Sequence, residues 1–488
     1  MNKFVLFFKK IFGPIDLTEN KPYKAILLFA LPIFISNLFQ QIYSISDAII
    51  VGQSIPQQFA GINDTNPLSF LVLQFAFGCT AGLSVALANR FGKKDFESLR
   101  KSFATSIIIA FICTILLTVL GLVFVNQLLS FVGLSLDKDP VSFNAAKIYI
   151  IVIFSGTIAQ IFYNLIVNTC RSVGDSITPL LFLILSSVIN IILDIVSVTC
   201  LPSTNLKVFG VAFATVFAQG LSAILCFIYT FKKYPFLRLK KEDFKIDKKD
   251  FFYHLKLGLP LGFQFSILAI GIIVMQNAIV SFDTGTISSV TGEAVHYAQD
   301  GYGAACKLQN FLTTPYSALG AAMLSYNAQN LGCNNKERVK KGIRQGYLIG
   351  IISYLIVLVI GLLFTINGFF LYLFLDSNSI TSETIKYGCY YLWVSLPGGF
   401  FLFTLLFLRN AIQGLGKSLF PFLAGIGELF ARIIASLFIA KWLNPSNPKS
   451  DISYIGVAFS DPLAWIAATL IMIIPIIYYV KKLLKEDN

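Results

Sequence analysis

Apolar stretches of about 20 residues recur from one end of the chain to the other, separated by short polar and basic connectors. A helix of that length crosses a hydrocarbon core of about 30 Å. The runs fall at residues 24–51, 67–90, 102–126, 144–168, 178–201 and 208–231, and then at 257–282, 301–331, 345–370, 385–409, 419–443 and 456–480. The expected fold class is all-α and polytopic, with about twelve membrane-spanning helices. Between the sixth and seventh runs lies the only long polar stretch, Lys232 to Lys249, which is charged and free of glycine. It reads as a cytoplasmic linker of partly helical character. The chain thus divides into a first half, residues 1–235, a linker, 236–250, and a second half, 251–488.

The halves repeat one another in order. Leu31-Pro32 answers to Leu259-Pro260, and Gly92 with the polar run ending Arg100-Lys101 answers to Gly332 with the run ending Lys340-Lys341. Asn168, Gly174, Ser176 and Pro179 answer to Asn410, Gly416, Ser418 and Pro421. Most specific is the identity of Gly210-Val211-Ala212-Phe213 with Gly456-Val457-Ala458-Phe459, with Ala218 matching Ala464. Each half holds an even number of spans, so both enter the membrane in the same direction, as parallel six-helix bundles that can rock about a site at their interface. Pro32 and Pro260 each remove a backbone hydrogen bond inside a span, and their matched positions suggest hinges rather than merely tolerated prolines.

Composition supports the same reading. Of 488 residues, 56% are hydrophobic and 13% charged, with mean hydropathy +0.74, whereas soluble domains carry about a quarter charged residues. The net charge of +13 does not point to nucleic acid, because the basic residues form no stripe interleaved with aromatics. They report topology instead. Lys3, Lys9, Lys10 and Lys21, the cluster Arg90 to Lys101, the linker, the cluster Lys336 to Arg344 and the tail Lys481, Lys482, Lys485 share one side, while the other side has only scattered lysines such as Lys138, Lys207 and Lys449. The positive-inside rule makes the first side, with both termini, cytoplasmic. The segment Met1–Gly13 reads as an interfacial anchor. Eight cysteines are scattered without metal or redox spacing.

Acids inside a membrane are rare and need a reason. Asp47 lies in the first run; Asn190 and Asp194, four residues apart, share a face of the fifth; Thr215 offers a hydroxyl from the sixth. Two carboxylates, an amide oxygen and a hydroxyl are hard ligands suited to a small cation such as Na⁺ or to a shared proton. The plainer alternative is that both acids sit hydrated or capping at helix ends. Glu428 and Arg432, also four apart, read as a structural ion pair. Enzyme readings fare poorly. His254 and His296 read as solvated or interfacial, with no nucleophile nearby, and Gly416-Lys417-Ser418 is no phosphate loop because Ala411 stands where its first glycine belongs. No cofactor is expected.

At this point the residues resemble a known family. Leu31-Pro32, Gln40 to Tyr43, Asp47, Val51-Gly52, Gly78, Gly82, Asn89, Gly92, Arg171 to Asp175, Asn190 to Asp194 and Gly210 to Thr215 resemble the first-lobe pattern of multidrug and toxic compound extrusion (MATE) transporters of the MOP superfamily, closest to the DinF-like branch. The resemblance covers essentially the whole chain. It implies two six-helix bundles around a central cavity, alternating access in the plasma membrane, and export of small organic, often cationic, substrates against Na⁺ or H⁺ by a monomer. In prokaryotic members the cation site falls on Asp47, Asn190, Asp194 and Thr215. Branches that place acids in the seventh and tenth spans are not matched, and the stretch Thr291 to Gly303 is longer than the pattern suggests. Two alternatives are a lipid or lipid-linked saccharide flippase, which needs more cationic residues than the Arg432 and Lys307 read inside spans, and a non-transporting receptor, which needs no paired acids.

Overall fold

The computed structural model describes residues 14–55, 58, 61–62, 65–132, 134, 136–137, 139–283, 296–375 and 380–485. The anchor read over Met1–Gly13, the lysine at 138 and residues 291–295 of the long connector lie outside the described residues. The first half contributes α1 (Pro22–Ser54), α2 (Asn66–Gly92), α3 (Phe96–Val123), α4 (Val125–Phe131), α5 (Pro140–Ser155), α6 (Thr157–Ser172), α7 (Ile177–Cys200) and α8 (Thr204–Lys233). The second contributes α9 (Lys248–Val280), α10 (Tyr297–Leu312), α11 (Thr314–Gly332), α12 (Lys336–Thr365), α13 (Ser382–Gly414), α14 (Leu419–Leu443), α15 (Asp451–Ala458) and α16 (Ser460–Lys485). Every apolar run read from the sequence is helical, and the linker folds as two 3₁₀ turns, Pro235–Leu237 and Lys241–Phe244.

Four helices start where a polar side chain meets a free backbone N–H. Asp95 accepts from Ser98 N, Asp139 from Val141 N and Ser142 N, Ser203 from Leu206 N, and Ser450 from Ser453 N. Among the described residues ten helices are long and apolar enough to cross a membrane, or eleven with α5 and α6 counted as one span bent by 47°. That bend falls at Gly156, where a Cβ would collide with Val216 of α8. The run at 301–331 is divided at Thr313, whose N–H and hydroxyl both donate to Gln309 O. Gln309, Asn327, Gln329 and Asn330 make it the most polar of the predicted spans, and all four are buried. Large apolar side chains instead cover the outside, as Ile112, Ile115, Leu116 and Val119 do on α3 and Ile352, Leu355, Ile356 and Val359 on α12. Such bands are untenable in water and natural in lipid. The protein is a polytopic all-α membrane protein.

The duplication is visible in the backbone. Lys94 and Asn334 share a left-handed conformation at φ 60° and 57°, which few non-glycine residues adopt. Each follows the matched Gly92 or Gly332, and each precedes a cap, Asp95 on Ser98 N and Asn335 on Arg338 N. Gly174 and Gly416, matched in sequence, are likewise left-handed at φ 85° and 75°. The C-terminal ends of α2 and α11 meet reciprocally: a Cβ on Gly92 would strike Gln329 O, and one on Gly332 would strike Asn89 O.

The chain groups into two compact units. One comprises Met1–Ser266 with Leu324–Val339 and Gln413–Leu419; the other comprises Ile267–Met323, Lys340–Ile412 and Phe420–Asn488. In the first, the linker turns pack on α3, where Arg100 pairs with Asp243 at 3.2 Å. His254, expected to be solvated or interfacial, is fully buried there. Its Nδ1 lies 2.8 Å from Asp250 O and its Nε2 3.1 Å from Ser102 Oγ, beside the Arg90–Asp250 ion pair.

Candidate functional site

Asp175 fixes the start of α7. Its Oδ1 accepts from Ile177 N and Thr178 N at 3.1 and 3.0 Å, and its Oδ2 accepts from Thr178 Oγ1, Lys233 Nζ and Tyr234 OH at 2.6, 2.8 and 2.8 Å. Because Lys233 ends α8, these bonds hold α7 in register with α8, and α7 packs closely on both α8 and α1. Burial alone would raise the Asp175 carboxyl, but Lys233 and Thr178 outweigh it and hold it below the usual carboxylate value.

That frame brings the four predicted residues together. Asn190 and Asp194 lie on the buried face of α7, 1% and 0% exposed. Asn190 Nδ2 donates to Thr215 Oγ1 at 3.4 Å. Asp47, half-buried on α1, brings its carboxyl within hydrogen-bonding reach of Asp194. Two tyrosines complete the site. Tyr43, one turn before Asp47, reaches Thr215 with its hydroxyl, and Tyr149 of α5 lies near both acids. The spacing of Tyr43 from Asp47 could have revealed the first; nothing local reveals the second.

The chemistry of the cluster is set by what its oxygens lack. Both Asp194 oxygens, Asp47 Oδ1 and Asn190 Oδ1 are enclosed, yet none accepts a hydrogen bond from a described donor. Buried acceptors normally find partners. The donor set of two carboxyls, an amide oxygen and hydroxyls fits a small hard cation or a proton.

Pro32 and Pro260 lie inside unbroken helices, α1 and α9, as do Pro397 in α13 and Pro475 in α16. Glu428 and Arg432 do pair, at 3.1 Å, but they are not an isolated couple. Arg409 Nη2 meets the other Glu428 oxygen at 2.6 Å, Arg432 Nε lies 2.9 Å from Asp461 Oδ1, and Tyr391 OH donates to Asp461 Oδ2 at 2.7 Å. All five side chains are buried. The expectation that only Arg432 and Lys307 place basic groups inside spans is thereby corrected. Arg409 sat at the edge of the run read as 385–409, while its helix continues to Gly414.

The MatE family model matches residues 32–196 and again 272–438, once in each half. The chain is 27% identical over 343 residues to the probable multidrug resistance protein YoeA of Bacillus subtilis (strain 168), covering 68% of this chain and 71% of that protein. It is 22% identical over 321 residues to an FAD transporter of Shewanella oneidensis, covering 66% and 68%. Among solved structures, an outward-facing multidrug resistance MATE family transporter of the MOP superfamily superposes with a TM-score of 0.83 at 19% identity, covering 97% of this chain and 99% of that one. A duplicated match over most of the chain, on a polytopic helical fold, places this protein in the MatE family of membrane transporters.

Proposed function

We propose that the protein is a cation-driven antiporter of the plasma membrane that exports drugs or other small organic molecules, cationic ones among them, by alternating access. The observation that carries this reading is the Asp47–Asp194 pair, two acids in direct reach of one another with no salt bridge to a described basic side chain. A cation or proton bound between the two acids relieves their mutual repulsion. Its departure restores the repulsion, so the site can bias one arrangement of the halves over another. Residues 1–235 and 251–488 act as the moving lobes, with Pro32 and Pro260 as hinges and 236–250 as the cytoplasmic linker. Relatives named as multidrug resistance proteins support the cargo class. The flippase reading is less favoured, because Arg409 and Arg432 are neutralised internally by Glu428 and Asp461 and leave no free charge there for a phosphate.

A membrane potential supplies about 2.3 kcal/mol per charge per 100 mV, roughly a forty-fold accumulation at 1.4 kcal/mol per tenfold. The test is a proteoliposome carrying an imposed Na⁺ or pH gradient and a fluorescent cationic dye. Dye movement that follows one gradient identifies the driver, and movement indifferent to both removes cation coupling.

A further inference from the structure

The repeat register places the charged cluster of the second half on the first half's cation site, position by position. The match of Asn168 and Pro179 with Asn410 and Pro421 pairs Tyr149 with Tyr391, Asn190 with Arg432 and Asp194 with Ser436. The match of Gly210 with Gly456 pairs Thr215 with Asp461, and that of Pro32 with Pro260 pairs Tyr43 with Gly271 and Asp47 with Met275. Contacts follow the same pairing. Asn190 bonds Thr215 at 3.4 Å, and Arg432 lies 2.9 Å from Asp461. Tyr149 stands beside the first-half acids, and Tyr391 bonds Asp461 at 2.7 Å.

The differences have one direction. Where Tyr43 fills space beside Thr215, Gly271 has no side chain, and a Cβ there would lie 3.1 Å from Arg432 Nη1 and 3.2 Å from its Cδ. The glycine makes room for the guanidinium. The first half's acid positions carry Met275 and Ser436 in the second, and the carboxylates have moved to Asp461 and Glu428, both of which face Arg432. This half therefore keeps two carboxylates and a tyrosine hydroxyl around a covalently attached cation, Arg432, with Arg409 on the other oxygen of Glu428.

We propose that Arg432 is a tethered cation occupying a second, degenerate cation site built from Glu428, Asp461 and Tyr391, which takes a free monovalent cation only when the guanidinium is removed. The comparison rests on the cation reading of Asp47 and Asp194, and it implies one exchangeable site per chain.

Thermal unfolding of the purified full-length protein in detergent tests it, with guanidinium chloride and NaCl at millimolar concentrations as probes and choline chloride as the control. In an Asp194→Asn background, which silences the first site, Arg432→Ala should unfold at a lower temperature. Its Tm should rise saturably with guanidinium or Na⁺ but not with choline. The response should vanish when Asp461→Asn is added. If Arg432→Ala is recovered from membranes only when guanidinium is present, the proposal is equally supported. A cation-indifferent Arg432→Ala overturns it. So does a variant that no cation recovers but that Asp461→Asn restores, because the cluster is then an ion network without a binding site. The Asp194→Asn protein alone separates the two readings: a wild-type cation response that survives in it counts against the first-half site, whereas the guanidinium response is read at Arg432.

Discussion

Asp194 of α7 and Asp47 of α1 face each other across their helix interface, the first fully buried and the second half-buried, with neither in a salt bridge to a described residue. In the second half the acids of α14 and α16 are all matched by arginines. One half holds two acids with no basic partner among the described residues; the other holds acids already balanced by arginines. The predictions follow from that asymmetry and from the contacts that frame it.

Glu428 serves two arginines, so its loss should be severe. Removing one partner from a buried ion pair typically costs about 3–5 kcal/mol, and Glu428→Gln should reduce detergent-stable yield accordingly. The double change Arg409→Gln with Glu428→Gln leaves Arg432 on Asp461 and should recover much of that yield. Glu428→Gln with Arg432→Gln should recover less, because it strands both Arg409 and Asp461. Yields from size-exclusion profiles rank the variants, and the reverse ranking would show that Arg409 is not the partner that matters.

Asp175 predicts a pH dependence. Its folded-state value is depressed, so its stabilisation is present above the unfolded aspartate value of about 3.9 and is lost as pH falls through the folded value. Asp175→Asn should therefore lower Tm at pH 7, by the equivalent of about 2 kcal/mol for hydrogen bonds to a charged group. The gap to wild type should narrow as pH falls below about 4. Unfolding curves at pH 7, 5 and 3 check this; a gap that is constant with pH would deny the carboxylate its role.

Gly92 and Gly332 predict matched sensitivity. A methyl at either position meets a backbone carbonyl, of Gln329 or Asn89, rather than a flexible side chain. Overpacking of that kind typically costs about 1–3 kcal/mol. Gly92→Ala and Gly332→Ala should lower Tm by similar amounts, whereas Gly303→Ala, with nothing within 4 Å of its added Cβ, should not. Unequal responses at 92 and 332 would break the reciprocity of the contact.

Much of this architecture was legible in the sequence because lipid imposes a simple rule: a spanning helix must be apolar over about 20 residues, and connectors need not be. The four first-half residues that the structure gathers around Asp194 were legible as candidates for the converse reason, since a polar residue in such a run stands out. Where the signal is weak, the reading thinned. The polar run at 301–331 hid its break at Thr313, where the Thr313 hydroxyl and N–H both turn back onto Gln309 O, a local contact that leaves no mark on the hydrophobic periodicity. Arg409 was missed by a boundary placed five residues short, and Asp461 because it opens a helix just after the break at Phe459 and its partner lies on another helix. His254 was misplaced because burial of a histidine among charged neighbours leaves no local pattern.

The central claim is that Asp47 and Asp194 couple an ion gradient to export, and the most direct measurement is gradient-driven dye efflux from proteoliposomes containing wild type, Asp47→Asn or Asp194→Asn. Neither substitution breaks a salt bridge to a described residue, and each removes a carboxylate that is costly to bury, so both variants should be recovered at normal yield. The account predicts that each loses ion-driven efflux while still folding. Well-folded Asp47→Asn and Asp194→Asn proteins that pump at the wild-type rate under the same gradient would contradict it.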